Sequence, residues 1–411
     1  MTKLLLTVSF LQQLSHCGRI QARRQIMKAR SLLLILVCAL AFSVPAWGAD
    51  SLVSVILQRE EVGESYIEIP VISLENTFVA DTVNRAVIDA LTGHMNTLAL
   101  LKTGVTGKLV VTARTEILSA FNGHDVYSVL LSAQGRMPNG RLGHQHIPLQ
   151  FDLANGQLLT LEMLFRDPKQ ATEWLENTVF EALSADLSNY LDLDSLRPFP
   201  AERFLLSSSG ISFYYPEGSL TWLSGKSASI YMHYYEMENI LNLEDSALLT
   251  SLGVSSSLQP GTDSQSAIQA VIIAGRLPGL DAVLGESMAG LIERNALQYD
   301  PEGFPEGQSY QLEDDSYRGT LALSLDGQTL SGLLSRRMNL HGLITGRTTR
   351  EQTLAVLEQP TASLDMPAAA AAELYGLEAG MMDIYPMQKN ELRLYYDSNM
   401  VLSAVWLLQA N

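Results

Sequence analysis

Tyr66-Ile67-Glu68-Ile69-Pro70-Val71-Ile72-Ser73 is followed within a few residues by Asn76-Thr77-Phe78-Val79-Ala80-Asp81-Thr82-Val83-Asn84-Arg85-Ala86-Val87. The first stretch has period two: Tyr66, Glu68 and Pro70 oppose Ile67, Ile69 and Val71, as strand side chains alternate between faces. The second has helical spacing, with Val79, Val83, Ala86, Val87, Ala90, Leu91 and Leu98 on one stripe. Asn76 or Thr77 suits the N-cap, because either side chain can accept from an orphan backbone N–H. A strand running into a helix, with more strands on both sides, predicts an α+β fold.

Working outward, residues 51–58 repeat the strand pattern, and so do 108–118, 125–133 and 145–153. Asn122-Gly123 is a hairpin dipeptide between two of these. A second helix is predicted over 168–191, led by Pro168, with Ala171, Leu175, Val179, Ala182, Leu183 and Leu187 on one face. Two strands follow, near 204–215 and 227–235. The alternation predicts a mostly antiparallel sheet with two main helices over residues 50–250. Residues 251–266, rich in Ser, Gly and Pro and without periodicity, read as a linker.

Beyond that stretch the sequence repeats. Ile273-Ala-Gly275-Arg276 returns as Ile344-Thr-Gly346-Arg347, and Ala282-Val-Leu284 as Ala355-Val-Leu357. Leu321-Ala-Leu323-Ser-Leu325-Asp326 with Leu330-Ser331 returns as Leu392-Arg-Leu394-Tyr-Tyr396-Asp397 with Leu402-Ser403. The common order predicts a tandem helix-plus-hairpin α+β domain over 267–411, in units of about 267–338 and 339–411. The hairpins turn at Asp326-Gly327 and at Asp397-Ser-Asn399.

Composition places the chain. Of 411 residues, 47% are hydrophobic, too many for a disordered polymer. The 27 Lys and Arg against 44 Asp and Glu give a formal charge of −17, which disfavours nucleic acid as a partner. Met27-Lys-Ala-Arg30, an apolar run Ser31–Phe42 and small residues ahead of a cut after Gly48 form an export signal. Residues 1–26 are then an upstream extension. The apolar run is short of the ~20 residues a bilayer span needs, so no membrane span is expected after cleavage. Six basic residues and no acid lie in 1–48, which leaves 21 against 44 and a charge of −23. Such a surface steers basic partners toward it. Cys17 and Cys38 both fall in the removed segment, so the mature chain has neither a disulfide nor a catalytic thiolate.

Two resemblances follow from ordered pieces of this sequence. Tyr66–Pro70, Val83-Asn84-Arg85-Ala-Val87, the run Phe151-Asp-Leu-Ala-Asn-Gly-Gln-Leu-Leu-Thr-Leu161 with Leu164-Phe165, Phe204–Tyr215 and Ser229–Met237 together resemble the RsiV/PdaC-type extracytoplasmic domain. That domain occurs in lysozyme-sensing anti-sigma factors and in peptidoglycan deacetylases. The resemblance implies binding of lysozyme, a basic cell-wall hydrolase, or of a cell-wall component. Gly346–Pro360, Glu391–Asp397 and Val401–Val405 are similar to the SmpA/OmlA and β-lactamase-inhibitor-protein-like repeats, with Glu358 standing where that family has glycine. Tandem units of that kind form a concave sheet that grips another protein.

The chemistry-bearing residues are few. His144 and His146 share one strand face, but zinc wants further ligands and none is placed by spacing, so a polar surface is expected and no metal. Neither a Gly-x-Ser-x-Gly elbow nor a phosphate-cradling glycine loop occurs. Tyr214, Tyr215 and Trp222 flank a loop holding Glu217. Two readings of it stand: a face for sugar stacking or capture of a basic protein, or aromatics buried beside Phe213. The binding residues expected are therefore Tyr214, Tyr215, Glu217, Trp222, His144 and His146, with no catalytic residue and no cofactor. The expectation is an exported, non-enzymatic binding protein of the cell envelope whose partner is a lysozyme-like basic protein or peptidoglycan. The alternative is a peptidoglycan-modifying enzyme, deacetylase-like or glycosidase, or its accessory domain.

Overall fold

Pro70 and Asn84 decide how the first sheet opens. In the computed structural model the described residues are 53–410, except 63–64, 101–108, 121–123, 137–141, 188–192, 217–228, 279, 281, 296, 301–306, 313–319 and 374–376. The expected export signal and the Asn122-Gly123 turn lie outside them. β1 (Ser54–Val62), β2 (Ser65–Ser73), α1 (Thr77–Leu100), β3 (Leu109–Leu118), β4 (Val126–Arg136), β5 (Leu142–Asp152) and β6 (Gln157–Leu158) follow in order. The six strands form one sheet in sequence order. Only β2 and β3 are parallel, and α1 makes that crossover. Their pairing stops after Tyr66↔Val110 and Ile67↔Val111.

The reason is chemical. Pro70 has no N–H to give a ladder. Asn84 of α1 takes the place of a strand at Ile72, accepting from its N–H and donating to its carbonyl, both at 2.9 Å. The Glu68 carboxylate accepts from Ala113 N at 3.2 Å. α1 buries Val79, Val83, Val87 and Leu91 against the sheet at a spacing of four. Each such side chain contributes about 1.5–3 kcal/mol relative to exposure.

α2 (Pro168–Leu187) begins where proline predicted. Asp167 caps it, accepting from Lys169 N and Gln170 N. The single strand expected over 204–215 is instead a hairpin. β7 (Phe204–Leu206) and β8 (Gly210–Tyr214) pair antiparallel, and β9 (Ser229–His233) completes a three-stranded sheet. Ser207 makes the turn: its hydroxyl accepts from Ser209 N and Gly210 N. The serines bond to their own backbone rather than extend the strand.

The stretch 251–266 differs from the aperiodic linker expected there. α3 (Ala247–Ser251), α4 (Val254–Ser257) and the start of α5 (Ser264–Ala274) occupy it. Val254 and Leu258 join the core of the first half. Its serines act as ties: Ser264 Oγ accepts from Gly261 N and donates to the carbonyl of His341. Residues 51–411 form one compact unit.

The remaining elements are α6 (Met288–Asn295), β10 (Leu297–Asp300), β11 (Gln308–Leu312), β12 (Thr320–Ser324), β13 (Gly332–Ser335), β14 (Asn339–Leu340), β15 (Leu343–Ile344), α7 (Arg350–Leu357), β16 (Ala362–Met366), α8 (Ala368–Glu373), β17 (Gly380–Met387), β18 (Asn390–Tyr396) and β19 (Leu402–Gln409). β10 to β13 and β16 to β19 are two four-stranded antiparallel meanders. They meet through their last strands, giving the order β10-β11-β12-β13-β19-β18-β17-β16. Helices α5, α6 and α7 pack on one face through Ile268, Leu291, Leu333, Leu394 and Val405, among others. The fold is α+β with antiparallel sheets.

The two meanders correspond in detail. Ser287 bridges Thr329 as Thr349 bridges Val401, each joining the residue before a helix to a hairpin turn. Leu330 N donates to Glu286 O, and Leu402 N to Thr348 O. The strand halves therefore match at the offset seen in sequence, but the helix halves do not. Gly275 caps α5, whereas Gly285, donating to Leu330 O, stands where Gly346 donates to Leu402 O. Ala282–Leu284 is loop and Ala355–Leu357 is helix, so that match is one of letters only. The cause is α8, inserted between β16 and β17 with no counterpart among the described residues between β10 and β11.

Candidate functional site

Tyr214 and Tyr215 are core residues, 5% and 1% exposed. Tyr215 Oη donates to Leu196 O at 3.0 Å, and its ring meets Phe199 edge-on. Tyr214 packs with Leu130 and Leu205. The small sheet of β7, β8 and β9 is covered on both faces: Tyr215 enters the first core, and Tyr214 is buried on the opposite face against Leu130 and His146. This corrects the stacking reading for these two residues and favours its rival. Glu217 and Trp222 lie outside the described residues. His146, on β5, is half-buried rather than on an open polar face. Its Nδ1 is 2.8 Å from Ser132 Oγ across the ladder, its carbonyl accepts from Arg203, and its ring sits edge-on to Tyr214. His144 pairs with Gln134 in the same ladder, and its side chain lies outside the described residues. Among the described residues no three His, Cys, Asp or Glu side chains group as metal ligands do.

The residues that the structure does bring together lie elsewhere. On the second face of the eight-stranded sheet, Arg393 and Trp406 are direct cross-strand partners. The guanidinium sits 4.8 Å from the indole centroid, held there by Glu391 at 2.6 Å. Tyr395 is next along the same face, its hydroxyl donating to Glu378 O. Leu323, Leu334, Met366, Met382 and Ala404 join Tyr395 and Trp406 in one cluster, and Ala371 of α8 is buried against it. Leu321, Ile384 and Leu408 are half-exposed at its rim, and Leu325 and Leu364 are exposed beyond them. Strand alternation sets this face: Leu392, Leu394 and Tyr396 go to the helices, so Glu391, Arg393 and Tyr395 go to the other side.

A second constellation joins the two halves of the unit. Arg337 grips Glu236 with both ends of its fork, Nε to Oε1 at 2.9 Å and Nη2 to Oε2 at 2.7 Å, and also donates to Tyr231 O. Ten residues on, Arg347 pairs with Glu238 at 2.6 Å, donates to Tyr235 O, and lies 5.5 Å from the Tyr235 ring centroid. Between these clamps His233 is buried. It is stacked on Tyr235 with centroids 5.0 Å apart and edge-on to Tyr231 at 4.8 Å. Burial pushes its imidazole down to about 4; Glu236 and backbone groups of Arg337 and Ser209 oppose that, and the Arg337 charge adds to it. An open cleft lined by Leu258, Gln259, Pro260, Gly342, Ile344, Arg347, Thr348 and Gln352 borders this junction. Sequence reading missed the junction because its ion pairs join residues 101 and 109 positions apart. The two arginines flanking Met338–Gly346 were the available signal.

No protein-family model matches the chain, and no curated protein matches it either. Similar solved structures include DUF3298 family proteins from Bacteroides fragilis and Pseudomonas aeruginosa. The first is 15% identical over 49% of this chain and 96% of its own, with a TM-score of 0.34. The second is 11% identical over 47% and 95%, with a TM-score of 0.35. A DUF4309 family protein from Bacillus subtilis is 13% identical over 36% of this chain and 97% of its own, with a TM-score of 0.28. Among the described residues no helix is long and apolar enough to cross a membrane.

Proposed function

We propose that the chain is an exported, non-enzymatic binding protein of the cell envelope that captures a basic protein such as lysozyme on the second face of its eight-stranded sheet. The observation that carries this reading is the make-up of that face. Trp406 and Tyr395 are themselves buried, 8% and 5% exposed, so what the face presents is the rim around them. That rim is the Arg393 guanidinium, half-exposed Leu321, Ile384 and Leu408, and exposed Leu325 and Leu364, an apolar surface around one guanidinium of the kind that interfaces bury. Arg393 is fixed on Trp406 by Glu391, so little side-chain freedom is left to lose on docking. The excess of acid over base supports a basic partner, drawn in by long-range attraction.

The test is calorimetric titration with a basic lysozyme at low salt and at about 0.5 M, where charge attraction is screened within a few ångströms. Binding that weakens with salt is expected. Leu325→Lys and Leu364→Lys alter exposed rim positions without emptying the core, and each is expected to weaken binding about tenfold, or about 1.4 kcal/mol. Absence of binding at both salts removes that partner. Unchanged affinity in both variants removes that face. Release of sugar or acetate from peptidoglycan by the purified protein would overturn the non-enzymatic reading.

A further inference from the structure

The hairpin of β14 and β15 is held at both its feet. Arg337 precedes it and Arg347 follows it, and both clamp the stretch Tyr231–Glu238 of the first half. Its body is tied on the other side. Asn339 Nδ2 donates to Ser257 O at 2.8 Å, and a Cβ placed on Gly342 would stand 2.5 Å from the Gln259–Pro260 backbone. The hairpin is thus a wedge between Tyr231–Glu238 and Ser257–Ser264, and it is the place where the halves are fastened.

His233 sits under the Arg337 clamp. It is 6% exposed, and its Nδ1 makes no hydrogen bond of good geometry. The groups facing it are Tyr231, Tyr235 and Glu236 from its own stretch, the Arg337 guanidinium and backbone from the foot of the hairpin, and the backbone of Ser209 from the β7–β8 turn. His341, at the far tip of the hairpin, is also held below the usual histidine range by burial, and its carbonyl accepts from Ser264 Oγ on the other side of the wedge. A charged imidazolium in this position would be desolvated beside a guanidinium, with one nearby carboxylate already engaged in a bidentate pair. The same Glu236 carboxylate accepts from His233 N at 2.8 Å. Three groups therefore share one anion.

We propose that this junction is an acid-sensitive latch: protonation of His233 releases the Arg337–Glu236 clamp and loosens the β14–β15 wedge from the first half. The direction follows from linkage. In the fastened state the imidazole sits at about 4, and in a loosened, hydrated state it returns toward 6.5, so the loosened state binds the proton more tightly. The fastened state keeps its full advantage above pH 6.5, loses up to tenfold of it for each unit down to about 4, and loses no more below that. The total is up to roughly 300-fold. The latch does not rest on the proposed partner.

Pulsed hydrogen exchange on the full chain tests it. The protein is held at pH 7, 5.5 and 4.5 and pulsed at one common pH. Amides of residues 231–238 and 337–347 are expected to lose protection together as the holding pH falls, while β3 to β5 keep theirs. His233→Gln, which cannot take up the proton, is expected to abolish that loss, and Arg337→Gln to produce it already at pH 7. Protection that stays constant to pH 4.5, or an equal loss in His233→Gln, overturns the proposal. Should His233→Gln fail to fold, the NMR titration of the His233 Cε1 signal in the unmutated protein decides. Its midpoint must coincide with the loss of protection, and a separation of more than about one pH unit refutes the latch.

Discussion

Replacing Glu358 by glycine should make the protein more stable, although glycine at a helix terminus is usually expected to weaken it. Glu358 ends α7 at φ +64° and ψ −158°. That region is open to glycine and closed to side chains, because Cβ meets the adjoining backbone, and holding another residue there costs about 1–3 kcal/mol. The bonds Glu358 makes are backbone bonds that glycine retains: its N–H donates to Leu354 O at 3.1 Å, and its carbonyl accepts from Tyr385 Oη at 3.5 Å. Glycine returns about 0.5–1 kcal/mol to the unfolded chain as extra freedom. With about 2 kcal/mol of relieved strain, a net gain of about 1 kcal/mol remains. Glu358→Ala keeps the Cβ and hence the strain, so it should lie within about 0.5 kcal/mol of the unmutated protein. Urea unfolding followed by circular dichroism reads both. For a slope of about 2–3 kcal/mol/M the glycine variant should shift the midpoint up by about 0.3–0.5 M. A glycine variant no more stable than the alanine variant would refute the strain argument.

Three more outcomes are expected. Asp383 is fully buried and held by Arg350 at 2.8 and 3.1 Å and by Ser363 Oγ at 2.6 Å, while Arg350 keeps a quarter of its side chain exposed. Arg350→Ala strands a buried carboxylate and should cost about 3–5 kcal/mol in urea unfolding, more than Asp383→Asn, whose loss Arg350 offsets by rehydrating; the reverse order would contradict this. A Cβ on Gly380 would stand 1.9 Å from the Tyr396 carbonyl, so Gly380→Ala should separate β17 from β18 and abolish soluble expression, whereas Gly261→Ala, in open space, should leave yield unchanged. If the latch governs the sheet, affinity for the captured partner should fall between pH 7 and 5 in the unmutated protein but not in His233→Gln, as read by titration at fixed ionic strength.

Periodicity exposed the elements that bury a single stripe or face. α1 could be read because Val79, Val83, Val87 and Leu91 recur every fourth residue, and the start of α2 because Pro168 fits only a first turn. Asp326 could be read as a turn because its carboxylate accepts from both Gln328 N and Thr329 N, a local bond that any context permits. Chemistry that depends on what lies across a sheet could not be read. Whether Tyr214 and Tyr215 form an aromatic surface or are buried stays open in the sequence until both faces of β7 to β9 are seen to be covered. The stretch 251–266 has the composition of a linker, yet Ser255 and Ser264 tie it to its surroundings, because a hydroxyl that can bond to backbone serves either purpose. The strand offset of the duplication survived in the sequence and the helix offset did not, since α8 entered between them. Glu358 shows the opposite case: the backbone there adopts a conformation suited to glycine, although the residue is not glycine.

The proposed latch and the proposed binding face are built on the same strand. β13 is where one meander meets the other, and Leu334 on it is paired directly with Trp406. One residue further, Ser335 Oγ accepts from Thr320 Oγ1 and donates to Arg337 O, so the strand end, its neighbour β12 and the clamp residue are joined by consecutive hydrogen bonds. Arg337 is therefore three residues from the centre of the aromatic face, along a segment too short and too bonded to move independently. Binding of the proposed kind requires that the two meanders stay in register. Fastening the strand where they meet to the first half, through a half-buried bidentate ion pair, holds that register with residues outside that face. Ion pairs of this kind often contribute little net stability, because desolvation offsets their attraction. What they supply is definition, since the planar fork of a guanidinium fits a carboxylate bidentately in one orientation. A hydrophobic contact at the same place would hold the halves together without fixing their angle. It would also be insensitive to the proton that His233 can receive.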